Sequence, residues 1–219
     1  RLAEGPISGY TSFDNNKVGQ VQAESLVEAL GDGAKDGQVI MLNGSVTDPN
    51  AAMFKEGAHS VLDGKVNVGR EYDTKEWKPE NANANMQGAI SALGKDKIIG
   101  VYSANDGMAG GIITALKRAG IAGIPVTGQD ADLAGVQRIV AGEQYMSVYK
   151  PYPQEADVAA DHRLAVRRDP QVARQAGGAE AHRQPERRLR VGLVVAGRAL
   201  VAEEDGGAVE WGLARDHTG

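Results

Sequence analysis

The chain has 219 residues, 42% of them apolar, and a formal net charge of -5, enough for one well-buried domain or for one lobe with an appendage. The acidic balance, with a pI near 5.4, speaks against a nucleic-acid or anionic-membrane partner. No cysteine is present, which excludes a disulfide framework, a thiolate nucleophile and a cysteine-based zinc site.

The first residues, Arg1-Leu2-Ala3-Glu4-Gly5-Pro6, lack the apolar region of a signal peptide, and no apolar run approaches the roughly 20 residues of a membrane helix. The chain opens without Met, so a natural N-terminus upstream of Arg1 is expected. From Ile7 to Pro151 short apolar runs alternate with amphipathic stretches. Strands are predicted at Ser8–Phe13, Gln38–Leu42, Val66–Arg70, Ile98–Ser103, Pro125–Thr127 and Tyr145–Tyr149. Helices are predicted between them, at Val18–Leu30, Asn50–Leu62, Pro79–Leu93, Gly107–Ala119 and Leu133–Ala141. Pro79 fits the first helical position, and Gly120 fits the position just past a helix end. Strands alternating with helices imply a parallel sheet covered on both faces. Right-handed crossovers then line up the strand C-termini along one edge, where such sheets bind ligands.

Past about Asp157 the character changes. All ten lysines precede Pro151, whereas ten of the fourteen arginines follow Asp157. The strand-helix alternation fades into arginine-, alanine- and glycine-rich text such as His182-Arg183-Gln184-Pro185-Glu186-Arg187-Arg188-Leu189-Arg190. Acids interrupt this basic segment and aromatics are nearly absent, against a nucleic-acid arm. It reads as a GC-rich gene translated in a shifted frame, and the expectation is an irregular, poorly ordered tail over 151–219. A strand or short helix over Val191–Val201 stays open.

Three sets of polar residues follow apolar runs directly: Ser103-Ala104-Asn105-Asp106, Gly128-Gln129-Asp130-Ala131-Asp132-Leu133-Ala134-Gly135 and Val148-Tyr149-Lys150-Pro151. An amide, a carboxylate and an ammonium at neighbouring strand ends can converge on one ligand, as sugar recognition requires. Asn105 and Asp106 both suit a helix N-cap; Asn105 is the better placed to face a cleft, offering a donor and an acceptor. Asp132 is the favoured cap of the following helix, which leaves Asp130 free to accept two hydroxyl hydrogen bonds. Lys150 is either a solvated lysine before a proline or a donor to hydroxyls that also pairs with Asp130. Trp77, between charges and ahead of Pro79, is either a half-buried staple or a platform for the apolar face of a pyranose. Asn50 reads as an N-cap with a weaker functional claim. Two carboxylates also fit a glycosidase or a metal site, but no histidine or third acid stands near in sequence. His59 is expected exposed on its helix. No GxGxxG, GxxxxGK[ST], HExxH or Ser-His-Asp order appears, so neither a cofactor, a metal nor an enzymatic reaction is expected.

These residues resemble the periplasmic sugar-binding proteins of ABC importers, in the xylose-binding branch. The resemblance runs from Arg1 to about Ala160. It is carried by Ser12-Phe13-Asp14-Asn15-Asn16-Lys17-Val18-Gly19, by Trp77 with Pro79-Glu80-Asn81-Ala82, by Asn105-Asp106, by Gly128 to Gly135 and by Val148-Tyr149-Lys150-Pro151. It implies an α/β, type I periplasmic-binding-protein-like fold: one doubly wound, flavodoxin-like parallel-sheet lobe over 1–150, of the C-terminal type, then a hinge return and the irregular tail. The resemblance further implies that Asn105, Asp130 and Lys150 hydrogen-bond a monosaccharide such as D-xylose, that Trp77 stacks on its ring, and that Asn50 adds a polar contact. Arg1 resembles the arginine closing a Tyr-Asp-Arg segment of the first lobe. A periplasmic or extracytoplasmic monomer that delivers a pentose or hexose to a membrane permease is implied too. One lobe of a two-lobe clamp is expected to bind sugar at least about a hundredfold more weakly than a complete protein, since about 3 kcal/mol of contacts is lost.

Two other readings remain. The effector lobe of a sugar-responsive transcription repressor shares this architecture and would need a helix-turn-helix before Arg1. An enzyme on a flavodoxin-like sheet would need a nucleophile, a base or a phosphate loop.

Overall fold

The computed structural model describes residues 11–168, 187–189, 192–195 and 198–201. Arg1, and the part of the first predicted strand ahead of Thr11, lie outside the described residues. The elements in chain order are β1 (Thr11–Phe13), α1 (Asn15–Leu30), β2 (Gln38–Asn43), α2 (Pro49–Leu62), β3 (Val68–Asp73), α3 (Pro79–Leu93), β4 (Ile98–Ser103), α4 (Asp106–Arg118), α5 (Leu133–Val140), β5 (Met146–Tyr149), α6 (Tyr152–Arg168), β6 (Arg187–Leu189), β7 (Gly192–Val195) and β8 (Arg198–Val201).

Helices α1, α2, α4 and α5 each start where a short polar side chain satisfies one of the first free N–H groups. Asp14 accepts from the Lys17 N–H (3.1 Å) and opens α1. Asp48 accepts from the Asn50 N–H (2.9 Å) and opens α2, with Pro49 in the first turn. Asn50 is therefore inside the helix, not its N-cap, correcting the expectation from sequence. Pro79 opens α3 as predicted. Gly120, at φ 72°, follows the end of α4 in the left-handed conformation that glycine adopts at no steric cost.

Strands β3, β2 and β4 run parallel in that order. The predicted strand Pro125–Thr127 is reduced to isolated bridges. Val101 pairs with Val126 and Gln129 pairs with Val148, both parallel, so residues 126–129 join β4 to β5 without forming a ladder of their own. Beyond β5 the pairing turns antiparallel through β7 and β8, and β6 lies parallel to β1. Two strands thus fall within Val191–Val201, where the sequence left strand or helix open, and α6 extends past Pro151 where no helix was predicted.

The strand order reverses at β2. Helix α1 packs on α2 and α3 packs on α4, as alternating right-handed crossovers require of the two faces. The α1–α2 pair is drawn close by two glycines. A methyl group at Gly19 would strike the Phe54 carbonyl, and one at Gly57 the Asn16 carbonyl. The core between these layers is built on β2 and β4, with Leu26, Ile40, Met41, Leu42, Tyr102 and Met108 all fully buried. Truncation of such a residue, Leu26→Ala for example, costs about 2–5 kcal/mol. A smaller cluster of Phe13, Val18, Phe54, Met146 and Val148 lies beneath the end of β5, with Trp77 packed against it as well as against the main core.

Candidate ligand site at the strand C-termini

The strand order reverses between β2 and β4, and in open α/β sheets ligands bind outside the C-terminal strand ends at such a switch point. Asn105 sits immediately after β4. Its Oδ1 accepts from the Met108 N–H (2.9 Å), so Asn105 is the N-cap of α4 and Asp106 is not. The cap uses only the oxygen of the amide. The neighbouring segment arrives beside it through the Asp106 N–H, which donates to the Gln129 carbonyl (3.0 Å). Asn105 and Asp130 therefore stand at adjacent ends of the sheet.

Asp130 has φ 96° and Ala131 φ 47°. Non-glycine residues held in this region carry strain that the surroundings must enforce, and such strain clusters at ligand sites. The Asp130 N–H donates to the Val148 carbonyl (2.9 Å), and the Ala131 N–H donates to Ser147 Oγ (3.0 Å). The turn is thereby sewn to β5, whose end carries Lys150. Lys150 Nζ lies 2.8 Å from Asp130 Oδ1, realising the pairing expected from sequence.

The lysine is no solvated side chain. It is nine-tenths buried, with Nζ 5.7 Å from the centroids of both the Phe54 and Tyr152 rings. Burial alone lowers the pKa of such an ammonium, but the Asp130 carboxylate and then Tyr152 outweigh it and hold Lys150 above the ordinary lysine value. The positive charge is therefore fixed at neutral pH, in a setting where ring contacts are worth about 2 kcal/mol.

Trp77 joins through the same aromatic group. Its ring meets Phe54 edge-on, with centroids 6.3 Å apart at 79°, and it covers Gly44, where a methyl group would collide with the indole. Trp77 has φ 58° at the end of the turn Lys75–Trp77 and is half-buried. Asn50 lies one helical turn before Phe54 on the same side of α2, but its Oδ1 accepts from Asn15 Nδ2 (2.7 Å). The structure thus links Trp77, Phe54, Lys150 and Asp130 in series, sets Asn105 alongside, and places Asn50 in a separate pair with Asn15.

Several contributors escaped the sequence reading. Phe54 and Tyr152 flank the lysine, and neither differs in pattern from an ordinary core or surface aromatic. Asp106 is wholly buried and accepts from three donors: Ser147 Oγ (2.8 Å), Gln144 Nε2 (2.7 Å) and the Asp132 N–H (3.1 Å). Asp132 caps α5 as expected, accepting from the Gly135 N–H. His59, expected exposed, is 30% exposed at its side chain and lies between Asp63 (2.9 Å) and Glu71 (3.3 Å). Among the described residues no cluster of histidines and acids could hold a metal ion, and no helix is long and apolar enough to cross a membrane.

Residues 1–166 match the family of the periplasmic binding protein domain. The D-xylose-binding periplasmic protein of Escherichia coli (strain K12) is 42% identical over 166 residues, which are 73% of this chain and 49% of that protein. The multiple sugar-binding periplasmic receptor ChvE of Rhizobium radiobacter is 35% identical, over 72% of this chain and 50% of the receptor. The chain spans about half the length of these curated relatives. Among solved structures, an ABC transporter periplasmic solute binding protein from Actinobacillus succinogenes 130z with bound D-allose superposes with a TM-score of 0.71 at 24% identity. That match covers 86% of this chain and 62% of the other. The fold is thus the type I arrangement expected from sequence: a parallel sheet between helices, in one lobe.

Proposed function

The chain belongs to the periplasmic binding protein domain family, and on that premise we propose that it forms one wall of a monosaccharide site in the solute-binding component of a carbohydrate ABC importer. D-xylose is the first candidate, from the name of the E. coli relative; other pentoses and hexoses follow from the receptor of multiple sugars. The observation that carries this reading is the Asp130–Lys150 pair at the sheet's C-terminal edge. A fixed carboxylate beside a fixed ammonium presents acceptors and donors to vicinal hydroxyls, and charged partners roughly double the strength of such bonds. Asn105 adds an amide at the next strand end, and Trp77 supplies an apolar ring face for the C–H side of a pyranose. Arg1 and Asn50 are the weaker members of the proposed set. Residues 1–150 form the lobe in this reading, with delivery to a membrane permease from a periplasmic or extracytoplasmic monomer.

A ¹H–¹⁵N NMR titration with D-xylose to on the order of 10 mM, the range appropriate to one wall of a site, tests the proposal. Shifts should cluster at Trp77, Asn105, Gly128–Asp132 and Lys150, and should vanish in Asp130→Ala. Shifts confined to other faces, or none with D-xylose, D-glucose or D-allose, would refute it.

A further inference from the structure

Asp106 is the most deeply placed acid of the site, and its carboxylate bonds to none of the side chains of Asn105, Asp130, Lys150 and Trp77. It occupies the first turn of α4, next to the Asn105 cap, with no exposed surface. Burying a carboxylate is costly unless every oxygen is satisfied. Here Oδ1 accepts from Gln144 Nε2, while Oδ2 accepts from Ser147 Oγ and the Asp132 N–H. The donors come from three segments: the turn before β5, β5 itself and the start of α5. Arg138 of α5 completes the frame, donating through Nη2 to the Asp106 carbonyl (2.6 Å) and through Nε to Gln144 Oε1 (3.0 Å).

The two glycines that bound the polar stretch fit around this carboxylate. A methyl group at Gly128 would collide with Asp106 Oδ1 and Gln144 Nε2, and one at Gly135 with Oδ2. Ser147 relays the contact outward, since its Oγ donates to Asp106 while accepting the Ala131 N–H. The two residues of this turn with left-handed φ, Asp130 and Ala131, are thus held between the Val148 carbonyl and a serine fixed by Asp106. An apolar side chain would fill the same space without holding either.

We propose that Asp106 is a positioning residue for the sugar site, its buried carboxylate tying the Gly128–Gly135 turn to β5 so that Asp130 stays set against Lys150 and toward the ligand. This rests on the site reading above for its link to sugar. The charged groups beside the carboxylate are Asp132 and Arg138, both of α5 or its cap. The turn before β5 and β5 itself face it with the neutral Gln144 and Ser147. Burial, and then Asp132, push the Asp106 pKa up against the pull of its three donors, to about 6. The raised value favours the buried, held group in its neutral form, so release of the turn, which lets water reach the carboxyl, should become harder as pH falls through that range.

The test compares the unmutated chain with Asp106→Asn and Ser147→Ala by amide hydrogen exchange, with far-UV circular dichroism as the check of folding. Asn keeps the shape of Asp106 but replaces one acceptor by a donor. The amides of Asp130, Ala131 and Asp132 should then exchange at least about tenfold faster, the loss expected when a bond to a charged group is removed. The amides of Met41 and Val101, in the central strands, should be unchanged. Ser147→Ala should release the Ala131 amide with Asp106 intact. In the unmutated chain the ratio of turn to sheet exchange should step down as pH falls through about 6, and Asp106→Asn should lack that step, which a space-filling role would not produce. D-xylose affinity should fall at least about tenfold in Asp106→Asn, in line with the same loss.

Turn exchange equal to that of the unmutated chain in Asp106→Asn overturns the proposal, as does unchanged D-xylose affinity in a variant whose turn is released. If Asp106→Asn does not fold, Ser147→Ala decides, and unchanged Ala131 exchange there overturns it. Absence of sugar binding by the unmutated chain counts against the site reading, and the exchange comparison still decides what Asp106 does.

Discussion

Cutting the Asp130–Lys150 pair from its two ends should cost unequal amounts of stability. The Lys150 side chain is 10% exposed and the Asp130 side chain 36%. Lys150→Met keeps the length and apolar stem between Phe54 and Tyr152 and leaves a carboxylate that still reaches water. The loss is then that of a partly exposed pair, about 1 kcal/mol. Asp130→Asn keeps a residue that tolerates positive φ but leaves a buried ammonium without its counter-charge. One-sided removal from a fully buried pair costs about 3–5 kcal/mol. The remaining amide oxygen, the two rings and the open side of Asp130 reduce this to about 2 kcal/mol here. Urea unfolding at pH 7, followed by far-UV circular dichroism, resolves the difference if the slope with denaturant is constant. The double variant should be more stable than Asp130→Asn alone, because the second change removes the orphaned charge. If Lys150→Met costs as much as Asp130→Asn, or if the double variant falls by the sum of the two, the ammonium is not the buried member that controls this pair.

Gly128→Ala and Gly135→Ala should each cost about 1–3 kcal/mol through collision with the Asp106 carboxylate. Gly33→Ala, whose methyl would meet nothing nearer than Asp36 Oδ2 at 3.5 Å, should be neutral or stabilising by up to about 1 kcal/mol; urea midpoints separate the three. Asp106 has its folded pKa raised from the ordinary carboxylate value to about 6, so folding favours its neutral form. Its contribution to stability is present below about pH 4 and lost as pH rises through 6, a difference of about 3 kcal/mol between pH 3 and 7. Asp106→Asn, always neutral, should flatten the measured profile by that amount. Asn105→Asp should retain the α4 cap and stay within about 0.5 kcal/mol of the unmutated chain, while Asn105→Ala loses about 1 kcal/mol. Both should lose the D-xylose shifts, because the cap needs only the oxygen and the proposed contact needs the amide hydrogens.

The layered fold was legible because its signal is periodic. Gln38–Asn43 and Ile98–Ser103 are continuous apolar runs flanked by amphipathic helices, the pattern of strands buried on both faces. Pro125–Thr127 was legible only as position. Its segment joins the sheet through main-chain bonds from Val101 and Thr127 on one side and Tyr145 and Val148 on the other, and these leave no mark on side-chain pattern beyond three apolar letters. At the site, Asp130, Lys150 and Asn105 were legible as polar residues directly after strands. What each does at that place was less so, because roles there depend on a few degrees of backbone. Asn105 and Asp106 are adjacent and both are good capping residues. The extended backbone of Asn105, φ -154° and ψ 170°, turns its oxygen onto the helix, and the next residue is thereby delivered into the interior. A carboxylate delivered there has to find donors, and it finds them in Gln144, Ser147 and Asp132, two of them side chains about 40 residues away in sequence. The glycines were the available clue. Gly128 and Gly135 are spaced too widely for one turn, and neither has a positive φ, so their role is room for a neighbour and not freedom of the backbone. Two glycines that need space around a stretch containing a strained aspartate imply a buried group between them. Asp106 is that group, and the strain at Asp130 is sustained because the carboxylate beneath it has nowhere else to make its bonds.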